Sequence, residues 1–247
     1  MPRFLLGILH PRRLPFFLNS IEKIDFIDKV FAENMPSRLA YESLRSFALD
    51  KGYDYLILSS DDVVVEESAL RKVIEAVLTY NYPVTTGWCW VRPNLKLANI
   101  TLMPPKNLEK RLNQPLFMHE YGFVPKEVID GFVEVGVKVV QVWFVGMSLT
   151  AIRQDVLRDW EVRGWFFQQH FTFKPETYRG QKGFWSCFDL WFSYDSWRKG
   201  YKKICVLDAY VEHSPVGYSH DWRDLTVGKL EPNVRFEEAK RSLSLLL

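Results

Sequence analysis

The chain lacks long apolar runs and has few cysteines. No stretch of about 18 consecutive apolar residues occurs among its 247 residues, which argues against a membrane-spanning helix. The three cysteines, Cys89, Cys187 and Cys205, lie far apart and are odd in number. They therefore form neither a CxxC metal pattern nor a disulfide framework, and we expect a reducing, cytoplasmic location.

The chain also lacks an excess of charge of either sign. Lys and Arg number 32 against 30 Asp and Glu, which gives a net charge of +2 without a long basic stripe. We therefore expect no nucleic-acid partner. Aromatic residues, in contrast, are abundant at 15% and include nine Trp. Aromatic rings fill protein cores and also pack against the apolar face of sugars, and composition alone favours the core interpretation.

Short apolar runs alternate with helical patterns along the first two thirds of the chain, which predicts an α/β fold. We expect strands at 4–9, 24–30, 55–58, 83–86, 138–145 and 203–207, and helices at 37–49, 66–78, 153–160 and 186–199. The clearest helix carries Leu70, Val73, Ile74, Val77 and Leu78 on one predicted core face. Repeated prolines between 88 and 136 predict loops and short strands. No linker or repeat interrupts the pattern, so we expect a single domain.

An acidic pair follows the third predicted strand. Asp61 and Asp62 come directly after Ser60, at the carboxyl end of a strand, where open α/β sheets bind ligands. Adjacent carboxylates repel each other unless a cation joins them, and Mg²⁺ or Mn²⁺ prefers such hard oxygen ligands. The alternative is that one of these aspartates caps the following helix.

The segment Tyr53-Asp-Tyr-Leu-Ile-Leu-Ser-Ser-Asp-Asp-Val-Val-Val resembles the strand and DxD-type motif of GT-A glycosyltransferases, especially the inverting family 2 group. The resemblance implies a GT-A fold, a Rossmann-like three-layer α/β/α sandwich with a mixed, mostly parallel sheet. By this match Asp62 is the metal-binding aspartate, Ser60 stands where the first aspartate usually sits, and Asp61 compensates for it. The segment that begins Ser37-Arg38 resembles the family's "ARN" segment, which implies that Arg38 contacts the nucleotide sugar.

Asp189 is the candidate catalytic base. It matches the second acid of the family's "ED" pair at the start of a helix, whereas Phe188 replaces the first. Such a base accepts the proton of the acceptor hydroxyl. The alternative follows from the spacing alone, because Ser186 and Asp189 also form a Ser-x-x-Asp capping box. Both roles are compatible with each other.

The resemblance assigns two further sites. The segment from Trp197 to His213 resembles the family's helix, glycine turn, strand and terminal histidine, which implies that His213 completes the metal site. The turn His10-Pro11-Arg12-Arg13 follows the first strand, where the family binds the nucleotide and its diphosphate, and arginine suits phosphate. As alternatives, His213 is an ordinary surface or core histidine and the arginines are solvated.

The segment from Trp143 to Arg153 resembles the part of these enzymes that passes under the donor sugar. Gly146 would then allow close approach of the backbone to a ligand, although a tight bend between strand and helix explains a glycine equally well. The aromatic loop at 165–185 either covers the acceptor or packs on the core.

These residues predict a transferase that moves a sugar from a nucleotide-diphosphate sugar to a carbohydrate, lipid or protein acceptor, with Mn²⁺ or Mg²⁺ and Asp189 as base. The nucleotide-binding half is expected at about 1–90, the acceptor half at about 91–230 and a tail at 231–247, whose terminal leucines suggest peripheral membrane contact. The alternatives are a non-catalytic carbohydrate- or nucleotide-sugar-binding protein on a degenerate GT-A fold and a sugar-1-phosphate nucleotidyltransferase. The absence of a Gly-rich phosphate loop after the first strand argues against the last.

Overall fold

The structure is a computed structural model, and it describes residues 2–10, 15–33, 37–60, 63–92, 96–106, 108, 116–117, 122–163, 183–184 and 188–213. The helices are α1 (Pro15–Glu22), α2 (Ser37–Asp50), α3 (Glu67–Tyr80), α4 (Lys126–Glu134), α5 (Gln154–Asp159) and α6 (Phe188–Arg198). The strands are β1 (Phe4–His10), β2 (Asp28–Glu33), β3 (Tyr55–Ser60), β4 (Val63–Val64), β5 (Val84–Trp88), β6 (Trp90–Arg92), β7 (Leu97–Thr101), β8 (Leu116–Phe117), β9 (Phe123–Pro125), β10 (Val139–Val142), β11 (Phe144–Val145), β12 (Thr150–Arg153), β13 (Gly183–Phe184), β14 (Lys203–Tyr210) and β15 (Glu212–His213).

Seven strands form the central sheet, in the order β10-β14-β5-β12-β3-β1-β2. The pairs β1–β2, β1–β3 and β14–β5 are parallel, whereas β12 is antiparallel to both of its neighbours and β10 is antiparallel to β14. Five of the seven strands therefore point in one direction, with β12 and β10 reversed. The predicted mixed, mostly parallel sheet is confirmed.

Hydrophobic cores cover both faces of this sheet. One core contains Ala40, Leu44 and Ala48 of α2 together with residues of α4, α5 and α6. The other contains residues of α1 and of α3, among them Leu70, Val73 and Val77. Burial of apolar side chains on both sides explains why the central strands read as continuous apolar runs in the sequence. The fold is thus a three-layer α/β/α sandwich, as expected.

The strand register brings the ends of the first three strands to one edge. Leu9 lies opposite Ser60 in the β1–β3 pair, and His10 lies opposite Glu33 in the β1–β2 pair. Because the three strands are parallel, the loops that follow them leave the sheet on the same side. We call this side the carboxyl edge.

Three sequence predictions need correction. The strand expected at 138–145 is two strands in different sheets, β10 and β11, because the chain turns at Trp143, where the backbone amide bonds to the carbonyl of Thr101. The strand expected at 24–30 lies later, at Asp28–Glu33, and α1 precedes it. On α3, Leu78 is 56% exposed whereas Leu70, Val73 and Val77 are buried, because the core face of this helix is narrower than predicted.

Among the described residues, no helix is long and apolar enough to cross a membrane. The C-terminal tail, where we predicted membrane contact, lies outside the described residues.

Candidate functional site

Polar residues end the first three strands at the carboxyl edge. Ser60 ends β3 and is partly exposed, whereas Glu33 ends β2 with a relative exposure of 0%. His10 ends β1 and lies between these two strands in the backbone register. Charged side chains are rarely fully buried unless they are paired or functional, and Glu33 lies among the predicted site residues at this edge. Sequence analysis missed it because β2 was expected to end three residues earlier.

The segment 146–148 lies beside the end of β3. The hydroxyl of Ser59 donates a hydrogen bond to the carbonyl oxygen of Ser148 over 2.8 Å. Thr150, the first residue of β12, lies opposite Leu58 in β3. The predicted sugar-binding segment and the strand of the predicted DxD-type motif are therefore neighbours in the fold.

Asn99 of β7 holds this segment in place. Its side-chain oxygen accepts a hydrogen bond from the backbone amide of Cys89 over 2.9 Å, and its amide nitrogen donates to the hydroxyl of Ser148 over 2.9 Å. The backbone amide of Gly146 donates to the carbonyl of Asn99 over 3.0 Å. A Cβ placed on Gly146 would lie 2.2 Å from the Asn99 Nδ2 atom. The close packing against Asn99 therefore explains why residue 146 is a glycine, without reference to a ligand.

Asp189 faces the same segment from the start of α6. Its Oδ2 atom accepts a hydrogen bond from the backbone amide of Met147 over 3.3 Å. One turn later, the hydroxyl of Ser193 accepts a hydrogen bond from the amide of Val145 over 3.1 Å. Residues four apart share one helix face, so a single face of α6 binds both amides that flank Gly146. Asp189 thus lies at the carboxyl edge, 42 residues in sequence from the group it binds.

The predicted metal ligands are only partly described. β15 pairs with β4 so that His213 lies opposite Val63, the residue that directly follows Asp62 in sequence. His213 is partly buried, and Asp61 and Asp62 lie outside the described residues. Among the described residues, no group of three His, Cys, Asp or Glu side chains is arranged to hold a metal ion. Carboxylate oxygens suit Mn²⁺ or Mg²⁺, and the metal site stays a prediction.

An aromatic cluster lies near His213 at the carboxyl edge. Trp88 ends β5, and Trp90 begins β6 two residues later. Tyr210 ends β14. The ring centroid of Trp88 lies 4.8 Å from that of Trp90 and 4.9 Å from that of Tyr210. Trp88 is buried and its indole nitrogen donates to the carbonyl of Leu207, whereas Tyr210 is 37% exposed. The sequence alone did not single out these three rings.

The remaining predicted residues are less informative. Arg38 is the second residue of α2 and its side chain is exposed, whereas Arg12 and most of the aromatic loop at 165–185 lie outside the described residues. Ser186, the predicted partner of Asp189 in a capping box, also lies outside them. The capping alternative therefore stays open beside the observed bond from Asp189 to Met147.

An open cleft at the opposite edge of the sheet is lined by polar and apolar residues, and two of its charged side chains, Arg153 and Asp155, pair with each other. Arg153 donates two hydrogen bonds of 2.8 Å to the two carboxylate oxygens of Asp155. Hydrogen bonding from Arg153 holds the pKa of Asp155 below its usual range. This ion pair links β12 to the first turn of α5, so the structure gives these charges a structural role, away from the predicted site residues.

Solved structures resemble the chain in fold. The structure of A197 from STIV is similar over 83% of this chain and 81% of that chain, with a TM-score of 0.50 and 16% sequence identity. The structure of S. aureus TarS 1-349 covers 99% of this chain and 70% of that chain, with a TM-score of 0.45 and 11% identity. CMP:2-keto-3-deoxy-manno-octonic acid synthetase complexed with CTP covers 92% and 100%, with a TM-score of 0.42 and 12% identity.

No protein-family model matches the chain, and no curated protein matches it either. At 16% identity, the likeness to A197 concerns the fold alone.

Proposed function

We propose that the chain is a metal-dependent glycosyltransferase that moves a sugar from a nucleotide-diphosphate sugar to an acceptor hydroxyl. One observation carries the proposal: the carboxylate of Asp189 lies against the segment 146–148 at the same sheet edge where β1, β2 and β3 end. Ser59, which lies in the strand of the predicted DxD-type motif, and Asp189 are more than 100 residues apart in sequence, and both bind the segment 146–148. Such an arrangement is expected of a functional site rather than of aspartates that only cap separate helices.

The donor would occupy the carboxyl edge above β1 to β3. Arginine side chains suit the diphosphate, which gives roles to Arg12 and Arg38. His10 and Ser60, which end β1 and β3 at this edge, would border the donor. Ser60 has no carboxylate, so Asp61 would make the contact that the first aspartate of the motif usually makes.

Asp62 and His213 would hold Mn²⁺ or Mg²⁺, supported by the pairing of His213 with Val63. The ion, when bound, neutralises negative charge that develops on the diphosphate. Gly146 and Met147 would border the donor sugar from the side of α6. The site therefore divides into a donor part near β1 to β4 and an acceptor part near α6.

Asp189 would act as the general base. The acceptor oxygen attacks the anomeric carbon, the bond from that carbon to the diphosphate breaks, and the hydroxyl proton moves to the carboxylate of Asp189. In this scheme the configuration at the anomeric carbon inverts. The Met147 amide, which donates to Oδ2 of Asp189, fixes the direction of the carboxylate.

The donor site is tested by calorimetric titration of UDP, GDP and their common sugars, with and without Mn²⁺, on the wild type and on Asp62→Ala. We expect one nucleotide to bind in a metal-dependent manner and to lose at least tenfold in affinity in Asp62→Ala. The matched control is Asp130→Ala, since Asp130 is an exposed carboxylate on α4, and it should bind like the wild type. If none of the nucleotides binds, the proposal is wrong and the alternative of a degenerate fold gains support.

The base is tested by Asp189→Asn, which keeps the oxygen that accepts from Met147 but removes the basic carboxylate. With the nucleotide sugar that binds in the titration, we expect donor affinity within about twofold of wild type and transfer lowered by about 100-fold or more. Transfer at the wild-type rate would show that Asp189 is a structural residue.

A further inference from the structure

The lysine that begins β14, Lys203, is buried beneath α6. Its relative exposure is 1%, and its ammonium donates hydrogen bonds to the backbone carbonyl of Ser193 over 3.0 Å and to the hydroxyl of Ser196 over 2.9 Å. Both acceptors belong to the helix that carries Asp189 at its start. Neither of these two acceptors is a carboxylate.

Lys203 gains only neutral partners from the helix. The single hydroxyl proton of Ser196 lies within reach of two carbonyl oxygens, that of Phe192 at 2.6 Å and that of Ser193 at 3.2 Å, and it can be donated fully to only one of them. A buried cation with only neutral partners costs folding free energy, and burial lowers the pKa of Lys203 to about 7. An apolar side chain of similar length would fill the same space, so stability alone does not account for a lysine here.

The residue that Lys203 contacts, Ser193, also binds the candidate site. The Ser193 hydroxyl accepts from the amide of Val145, and Asp189, one turn earlier on the same face, accepts from the amide of Met147. The chain of contacts thus runs from the central sheet through Lys203 to the middle of α6, and from α6 to both amides beside Gly146. A shift of α6 along its axis would break all of these contacts together.

We infer that Lys203 is a positioning residue that fixes α6 against the segment 145–147 and so holds the carboxylate of Asp189 at the carboxyl edge. The catalytic consequence rests on the proposed function of Asp189, whereas the mechanical part does not. Lys203 lies far from the reacting atoms in this scheme because it begins β14 at the opposite edge of the sheet, and it acts only through the helix.

The mechanical part is tested by residue-resolved amide hydrogen exchange on the full-length wild type, on Lys203→Met and on Lys202→Met. Lys202 is the adjacent, exposed lysine and serves as the matched control. We expect exchange at Val145 and Met147 to accelerate at least tenfold in Lys203→Met alone, while Ile57 and Ala151 in the central sheet keep their protection. Unchanged exchange at Val145 and Met147 would overturn the inference, and so would an equal acceleration at all four amides.

The catalytic part is tested with the nucleotide sugar that binds in the calorimetric titration. We expect Lys203→Met to lower kcat at least tenfold with the donor KM within about twofold, and Lys202→Met to match the wild type. An unchanged kcat in Lys203→Met would overturn the catalytic part. Failure of the proposed function has a different signature, because no nucleotide would then bind to the wild type, or Asp189→Asn would keep full transfer, while the exchange result for Lys203→Met persists.

Discussion

Replacement of Lys203 by Met should change how the stability of the protein depends on pH. Desolvation is the cause that lowers the pKa of Lys203 from 10.5 to about 7. Its neighbours across β5 and β10 are Val84 and Val142, which do not titrate. On α6, the carboxylate of Asp195 is paired with Arg163. The titration of Lys203 is therefore separable from that of other groups.

The sign follows from proton binding in the two states. Between about pH 7 and pH 10.5, the unfolded chain keeps a proton on Lys203 that the folded chain has lost, so the free energy of unfolding rises with pH in this window. Below pH 7 both states are protonated and the contribution is flat. With about 1.4 kcal/mol per pKa unit, the shift corresponds to a total of about 5 kcal/mol, of which about 2 kcal/mol appears between pH 7 and pH 9.

The assay is urea unfolding followed by tryptophan fluorescence at pH 6, 7, 8 and 9. We expect the wild type to gain about 2 kcal/mol from pH 7 to pH 9 relative to Lys203→Met, whereas Lys202→Met follows the wild type. At pH 6 the Met variant should be at least as stable as the wild type, because the cost of the buried charge exceeds two hydrogen bonds of about 1 kcal/mol each. A difference between wild type and Lys203→Met that stays constant from pH 6 to pH 9 would refute the reasoning. A variant that is more stable yet less active would separate positioning from general stabilisation.

Two further variants and one control variant test the packing of the candidate site. Gly146→Ala should lower the free energy of unfolding by about 1–3 kcal/mol, because its Cβ would collide with Asn99; Gly131→Ala on α4, where a Cβ meets nothing within 4 Å, should instead raise it by about 0.5–1 kcal/mol. Equal effects of the two alanines in urea unfolding would contradict the close contact. Asn99→Ala should cost about 1–3 kcal/mol because the buried amide of Cys89 loses its acceptor. A thermal midpoint equal to that of the wild type would show that this bond contributes no net stability.

The sequence by itself determined the elements whose pattern is local. In α3, apolar residues recur at helical spacing and Asn81 ends the helix in a left-handed conformation with φ 51°. The apolar runs at β1 and β3 were correctly predicted to be strands, because a strand that is buried on both faces is apolar throughout. Family resemblance added Asp189 and His213, and the structure brings Asp189 to the carboxyl edge and pairs β15, which contains His213, with β4.

Non-local contacts decided the remainder. The turn at Trp143 divides one apolar run between two sheets, because the partners of β10 and β11 are β14 and β7, which lie far away along the chain. The burial of Glu33 depends on where β2 ends beside β1, and local periodicity does not set that register. For Lys203, the sequence indicated only the start of a strand. Its contact with α6 exists because the sheet order places β14 beneath that helix, and only the tertiary structure gives a lysine at this position neutral partners in place of water.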